Sequence, residues 1–167
     1  MTLRPQAMRP TIVIPVIVAT IAAACVAALG ATMTDLGPWY QGLAKPAWNP
    51  PDALFPMGWT LIYALITVAG ITAWRAARTS AQAEWVIGLF ALNGFLNISW
   101  SILFFRLQRP DWAFWEVTAL WLSILAMILY CGRFSRAAAL LLLPYLGWVS
   151  FAGALNWAVV QLNAPFG

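Results

Sequence analysis

Three series of residues in this chain have the types and the spacing to line one cavity for a mostly apolar molecule. Asn93, Asn97, Trp100 and Phe104 follow one another at offsets of four, three and four; Tyr145, Trp148, Ala152 and Asn156 do so at three, four and four; Trp59, Tyr63 and Gly70 form a third stripe. Offsets of three and four put side chains on one face of a helix. Indole and phenol rings offer stacking faces with an N–H or O–H at one edge, and an amide both donates and accepts. Three converging stripes of this kind enclose a cavity with apolar walls and a few polar fixing points, the make-up of a small-molecule site. The same pattern also serves plain helix packing, with the amides bonding across helices.

What the chain lacks narrows the chemistry. It has no histidine, which excludes Ser-His and Cys-His nucleophilic sites, His-ligated zinc and His-ligated haem. Its two cysteines, Cys25 and Cys131, stand far apart and outside any CxxC, so they read as small buried hydrophobes and not as a metal or disulfide framework. Glu116 is the one carboxylate deep in an apolar span. It is either an intramembrane functional group or a partner for Arg106 or Arg109 at the interface. Asp35 and Asp52 read as helix-end residues, Asp52 as a cap.

The elements that position these residues follow from composition. The chain is 63% hydrophobic and 8% charged, against roughly 25% charged for a soluble domain. It is an integral membrane protein whose surrounding partner is lipid. The net charge of +4 sits in short pieces between apolar spans, which is membrane topology and speaks against a nucleic-acid partner. Spans fall at about 11–33, 53–74, 83–105, 112–131 and 136–160, each near the ~20 residues that cross the hydrocarbon. Arg4 and Arg9 precede the first, which exceeds the roughly 7–15 apolar residues of a signal peptide and therefore reads as a retained helix. Pro56 falls in a first turn, where it is harmless; Asp111 reads as the cap of the fourth span. Pro144 predicts a kink or a protein-buried face near Tyr145. The fold class is an all-α single bundle of five transmembrane helices, one domain over 1–167, with sequence neighbours antiparallel because their connections are short.

Small residues crowd the first span (Ala22, Ala23, Ala24, Ala27, Ala28, Gly30, Ala31) and permit close helix approach, within the bundle or between protomers. Arg4, Arg9, Arg75, Arg78, Arg133 and Arg136 lie on one side, and Lys45, Arg106 and Arg109 on the other. That bias predicts a cytoplasmic N-terminus. Of eleven tryptophans, Trp39, Trp48, Trp74, Trp85 and Trp112 stand at span ends and fit an aromatic belt. Trp59, Trp100, Trp121, Trp148 and Trp157 lie deeper, where an indole N–H needs a partner, and are expected to face the interior or a cavity.

The connector at about 34–52 carries Pro38, Pro46, Pro50 and Pro51, with Trp39, Tyr40, Trp48 and the only lysine, Lys45. It is too proline-dense in its first half to be expected as a helix. It reads as a stiff spacer or as a lid. The stripes that converge beneath it favour the lid, whose prolines lower the entropy of ordering it, with Trp39 and Tyr40 closing over the cavity.

Several stretches in order, WYQGLAKPAWNPP followed by GWTLIY, then LNISWSILFF, then PYLGWVSFAGALNW, resemble the tryptophan-rich sensory protein or translocator protein (TspO/MBR) family over nearly the whole chain. The resemblance implies a five-helix bundle, often homodimeric, that binds tetrapyrroles such as protoporphyrin IX, sterols and benzodiazepine-like drugs beneath the first loop. It implies a pocket of Trp39, Tyr40, Trp59, Tyr63, Asn97, Trp100, Trp112, Trp148 and Ala152. To these the stripes add Asn93 and Asn156, and Lys45 offers a cation for propionates. In some bacterial members the tryptophans that match Trp59 and Trp148 are tied to light- and oxygen-dependent porphyrin breakdown, which makes these two the catalytic pair if the chain is an enzyme. The sterol-recognition segment departs from the family, with Trp157 and Gln161 at its Tyr and basic positions. The expectation is a receptor or sensor that takes a porphyrin as ligand and needs no cofactor. The alternatives are a porphyrin-degrading enzyme and a porphyrin or sterol transporter; the last lacks paired intramembrane charges.

Overall fold

A computed structural model describes residues 13–166; Arg4 and Arg9, on which part of the topology argument rests, lie outside them. The order is α1 (Val13–Met33), a short α2 (Pro38–Gly42), α3 (Leu54–Ala76), α4 (Ser80–Ser101) running into one π turn (Ile102–Arg106), α5 (Pro110–Gly132) and α6 (Arg136–Asn163). Among the described residues five helices are long and apolar enough to cross a membrane, and none is a strand. The chain is an all-α, multi-pass integral membrane protein.

Local chemistry explains the ends. Thr79 accepts from the Gln82 N–H at 3.2 Å and Ser135 from the Ala138 N–H at 3.3 Å; both are side-chain N-caps that satisfy otherwise orphaned donors. The Thr79 cap starts α4 at Ser80, a turn before the expected 83. Two expected caps differ. Asp111 lies inside the first turn of α5 behind Pro110, where it pairs with Arg109. Asp52 precedes the Ala53 cap, which makes no side-chain hydrogen bond, and accepts instead from the Tyr40 hydroxyl.

The proline-rich loop holds a helix after all. Pro38 takes the first helical position of α2, where a missing N–H costs nothing. Asp35 accepts from the Gly37 N–H at 2.8 Å, an Asx turn that leads the chain into it.

The centre of the bundle lies where α3, α5 and α6 meet: Ile62, Val117, Leu120, Ile124, Tyr145 and Val149 pack together. Tyr145, directly after Pro144, is fully buried, which is the protein-covered face the proline requires. Helix α1 lies against α3 and α4; Gly94 admits Val26 so closely that a Cβ there would stand 3.0 Å from it. At its far end the Arg106 guanidinium donates to the Thr32 carbonyl, one of the last-turn oxygens left free by the helix, and its charge complements that end of the dipole.

Candidate functional site

Beneath the loop at 34–52 a cavity of about 500 Å³ opens between α1, α3, α4 and α6. Its α1 wall is made of Ala27, Gly30 and Ala31, with Thr34 just past the helix end, so the small residues of the first span make room for contents as well as for neighbours. On α3, Trp59 stacks on Tyr63 with ring centres 5.5 Å apart and 27° between planes. Trp148 of α6 meets Trp59 edge-on at 6.0 Å. The benzo ring of Trp148 lies over Gly58, where a Cβ would come within 2.3 Å of it. The glycine is there for that close approach.

The wall from α4 depends on the π turn. On a regular helix Phe104 shares a face with Trp100, and Phe105 points about 100° away. The wider turn brings both into the cavity wall. Phe104 and Phe105 lie 4.8 Å apart, with Trp100 at 5.2 and 5.9 Å from them. The lid packs on this cluster: Trp39 edge-on to Phe104 at 6.0 Å and Tyr40 against Phe105 at 5.6 Å. Trp48 covers Phe151 of α6 from outside, at 5.8 Å.

The polar atoms form ordered sets. From the cavity inward, the Tyr63 hydroxyl donates to Asn97 Oδ1 at 2.7 Å and Asn97 Nδ2 to the Tyr145 oxygen at 3.4 Å. The Tyr145 hydroxyl then donates to Asn93 Oδ1 at 3.1 Å, and Asn93 Nδ2 to Ser123 Oγ at 2.8 Å. A second set holds Trp100. Its indole N–H donates to Asn156 Oδ1 at 3.0 Å while Asn156 Nδ2 donates to the Pro110 carbonyl at 2.8 Å. At the mouth, the Lys45 ammonium stands 4.0 Å over the Tyr40 ring. Burial, with the Asp52 charge and its hydrogen bond adding to it, pushes the Tyr40 hydroxyl up to about 12. The lid is pinned to the end of α6 by Asn163, whose amide bonds both backbone groups of Ala44.

Of the residues expected at the site, Tyr40, Lys45, Trp59, Tyr63, Asn97, Trp100, Trp148, Ala152 and Asn156 line this cavity. Three do not. Asn93 is buried behind Tyr145, because its amide is consumed within the helix packing. Trp112 is half exposed under the Arg109 guanidinium, 4.1 Å away, which is a belt position. Trp39 packs edge-on against Phe104 and is not part of the lining. Among the other deep tryptophans, Trp121 packs against the core and donates to Ser150 Oγ at 2.8 Å, whereas Trp157 differs from expectation and is half exposed against Phe114.

Glu116 pairs with neither Arg106, which holds Thr32, nor Arg109, which holds Asp111. Both its carboxylate oxygens are buried without a hydrogen-bond partner, as is the Trp148 indole nitrogen. Sequence reasoning passed over Phe55, Phe105, Phe151 and Asn49, all of which line the cavity. The Phe104-Phe105 pair at a span end was the signal for one of them.

The TspO/MBR family matches residues 11–162. The chain is 42% identical over 130 residues to the tryptophan-rich protein TspO of Chlorobaculum tepidum, covering 75% of this chain and 79% of that one. It is 34% identical over 139 residues to protein CrtK of Rhodobacter capsulatus, covering 82% and 87%. With the translocator protein of Bos taurus it shares 32% identity over 126 residues, 75% of each chain. A match that runs from α1 through α6, over five apolar helices, four of which wall one aromatic cavity, leaves a single conclusion: the chain belongs to the TspO/MBR family.

Proposed function

We propose that the chain is a membrane receptor or sensor that binds porphyrins of the protoporphyrin IX type, and related flat hydrophobic molecules, in the cavity under the lid. The observation that carries this reading is the composition of the lining: Trp59, Tyr63, Trp100, Phe104, Phe105 and Trp148 around about 500 Å³, with Lys45 at the mouth. Offset and edge-on aromatic contacts suit a macrocycle face. The Lys45 ammonium has no salt-bridge partner among the described residues, so it is free to meet a propionate. With no histidine in the chain, a free-base macrocycle fits better than a haem that needs an axial imidazole.

Titration of purified protein with protoporphyrin IX in the dark tests this, followed by Soret absorbance and tryptophan quenching. Saturable binding is expected, weakened by Lys45→Ala for the free acid and unchanged by it for the dimethyl ester. A response that never saturates overturns the reading.

A second reading, light-dependent oxidation of the bound porphyrin by dioxygen, is favoured by one observation, the edge contact of Trp59 and Trp148 at 6.0 Å in the same wall. The macrocycle would supply the photochemistry and these indoles its contacts. Bleaching under light that is lost in Trp59→Phe or Trp148→Phe supports it. We further propose, from the family likeness, that the chain forms a homodimer, which light scattering in detergent tests. The cytoplasmic N-terminus is likewise proposed, from the basic residues Arg75, Arg78, Arg133 and Arg136, and cysteine labelling at the termini tests it.

A further inference from the structure

We propose that the hydrogen-bond chain under the cavity has one fixed direction, and that this makes the Tyr63 oxygen an acceptor-only point that selects ligands carrying an N–H or O–H donor. The inference rests on the reading of the cavity as a ligand site.

The direction is set at the end farthest from the cavity. Ser123 Oγ lies 2.7 Å from the Leu120 carbonyl oxygen. A carbonyl only accepts, so the Ser123 proton lies between them. The Ser123 oxygen can then only accept from the other side, and it takes a proton from Asn93 Nδ2 at 2.8 Å. That turns Asn93 Oδ1 toward Tyr145, which gives it its single proton at 3.1 Å. The Tyr145 oxygen is left to accept from Asn97 Nδ2, which turns Asn97 Oδ1 toward Tyr63. Tyr63 donates to it at 2.7 Å. The reverse sense would leave the lone pairs of Ser123 and Leu120 facing each other at 2.7 Å with no proton between, so one direction holds through all five bonds.

At the cavity end the consequence is specific. The only proton on the Tyr63 oxygen is committed to Asn97, and among the described residues no protein donor reaches its lone pairs. Tyr63 and Gly30 both line the cavity. A Cβ on Gly30 would stand 3.7 Å from that oxygen, so the glycine leaves the space beside it open. A ligand N–H or O–H there gains a bond, whereas an ether, carbonyl or carboxylate oxygen meets lone pairs. An amphipathic anion is thereby oriented: donor edge toward Tyr63, carboxylates toward Lys45 at the lid.

The test uses three near-isosteric flat tricycles: carbazole, which bridges its rings with N–H, fluorene with CH2, and dibenzofuran with an oxygen. Equilibrium dialysis against the full chain in detergent micelles is expected to give carbazole about fivefold tighter than fluorene, as one net hydrogen bond implies, with dibenzofuran weakest. Tyr63→Phe brings carbazole and fluorene level. Ser123→Ala, buried and outside the cavity wall, removes the anchor. The Asn93 amide then turns its N–H toward Tyr145, the chain reverses, and Tyr63 offers a proton to the cavity, so dibenzofuran overtakes fluorene. Dibenzofuran equal to or above carbazole in the unmodified chain overturns the proposal, as does an unchanged order in Ser123→Ala. If the probes bind without order yet are displaced by protoporphyrin IX, the direction falls and the ligand cavity stands. If none binds saturably, the ligand cavity falls and takes the selectivity with it.

Discussion

Asn163 grips Ala44 on both of its backbone groups: Asn163 Oδ1 accepts from the Ala44 N–H at 2.8 Å and Asn163 Nδ2 donates to the Ala44 carbonyl at 2.9 Å. The pair joins residues 119 apart in sequence and fastens the lid to the last turn of α6, which also holds Asn163 through the Val159 carbonyl. The lid's other anchors are aromatic, Trp39 and Tyr40 on the π-turn phenylalanines. Asn163→Ala removes the two hydrogen bonds to Ala44, along with the one to Val159, and frees that stretch of the loop from α6. Lid closure is expected to weaken by about 1–3 kcal/mol, read as roughly tenfold faster release of bound protoporphyrin IX in stopped-flow fluorescence, with helix content unchanged by circular dichroism. Release at the unmodified rate would mean that the amide is not a latch.

The contact of Gly58 with Trp148 gives a sharper steric prediction. An added methyl would lie 2.3–2.8 Å from three indole carbons, so Gly58→Ala must displace the Trp148 ring from the cavity wall. Overpacking of this kind costs about 1–3 kcal/mol. A lower Tm and loss of porphyrin affinity are expected together, whereas Gly88→Ala, where an added Cβ meets nothing within 4 Å, leaves both unchanged.

The buried amide network makes a stability prediction independent of any ligand. Tyr145→Phe deletes the oxygen that accepts from Asn97 and donates to Asn93, and strands two buried amide groups. Interhelical hydrogen bonds in membranes are worth about 0.6–2 kcal/mol each, so unfolding in mixed micelles is expected to shift by about 1–3 kcal/mol. Asn163→Ala, at the lid, leaves that transition nearly unmoved.

The raised Tyr40 hydroxyl predicts how the lid responds to base. Its ordinary value is 10.0 and burial beside Asp52 moves it to about 12. Between those values the released lid ionises while the closed lid keeps its proton, so the open form binds fewer protons and closure weakens as pH rises. Below pH 10 this group contributes no pH dependence. Proteolysis of the lid in the unmodified chain is expected to accelerate from about pH 10 to about 12 relative to Tyr40→Phe; parallel profiles for the two would contradict it.

Spans and stripes were legible in the sequence for a physical reason: hydrocarbon imposes length and apolarity, and a helix imposes offsets of three and four. Nine of the expected site residues therefore meet at the cavity. The residues that differ do so where tertiary context decides. Asn93 lies on the predicted face, but its partners Tyr145 and Ser123 come from two other helices. Phe105 reaches the wall only because the helix widens at Ile102–Arg106, which no local pattern in ILFFR announces. Trp112 is exposed and stacks under Arg109 instead of facing the cavity. Asn163 falls a turn past the point where apolarity ended the fifth span in the sequence, and its role depends on a backbone 119 residues away.

We propose that a porphyrin binds in the cavity under the loop. Ala152 stands in its wall beside Trp148 and Phe151, so Ala152→Trp fills the space from within while keeping an apolar, membrane-compatible side chain. Dark titration of both forms with protoporphyrin IX is the direct measurement. One saturable site is expected in the unmodified chain, and affinity reduced by about tenfold or more in Ala152→Trp, since a blocked cavity forfeits its stacking contacts. Equal affinity in a folded Ala152→Trp chain would contradict it.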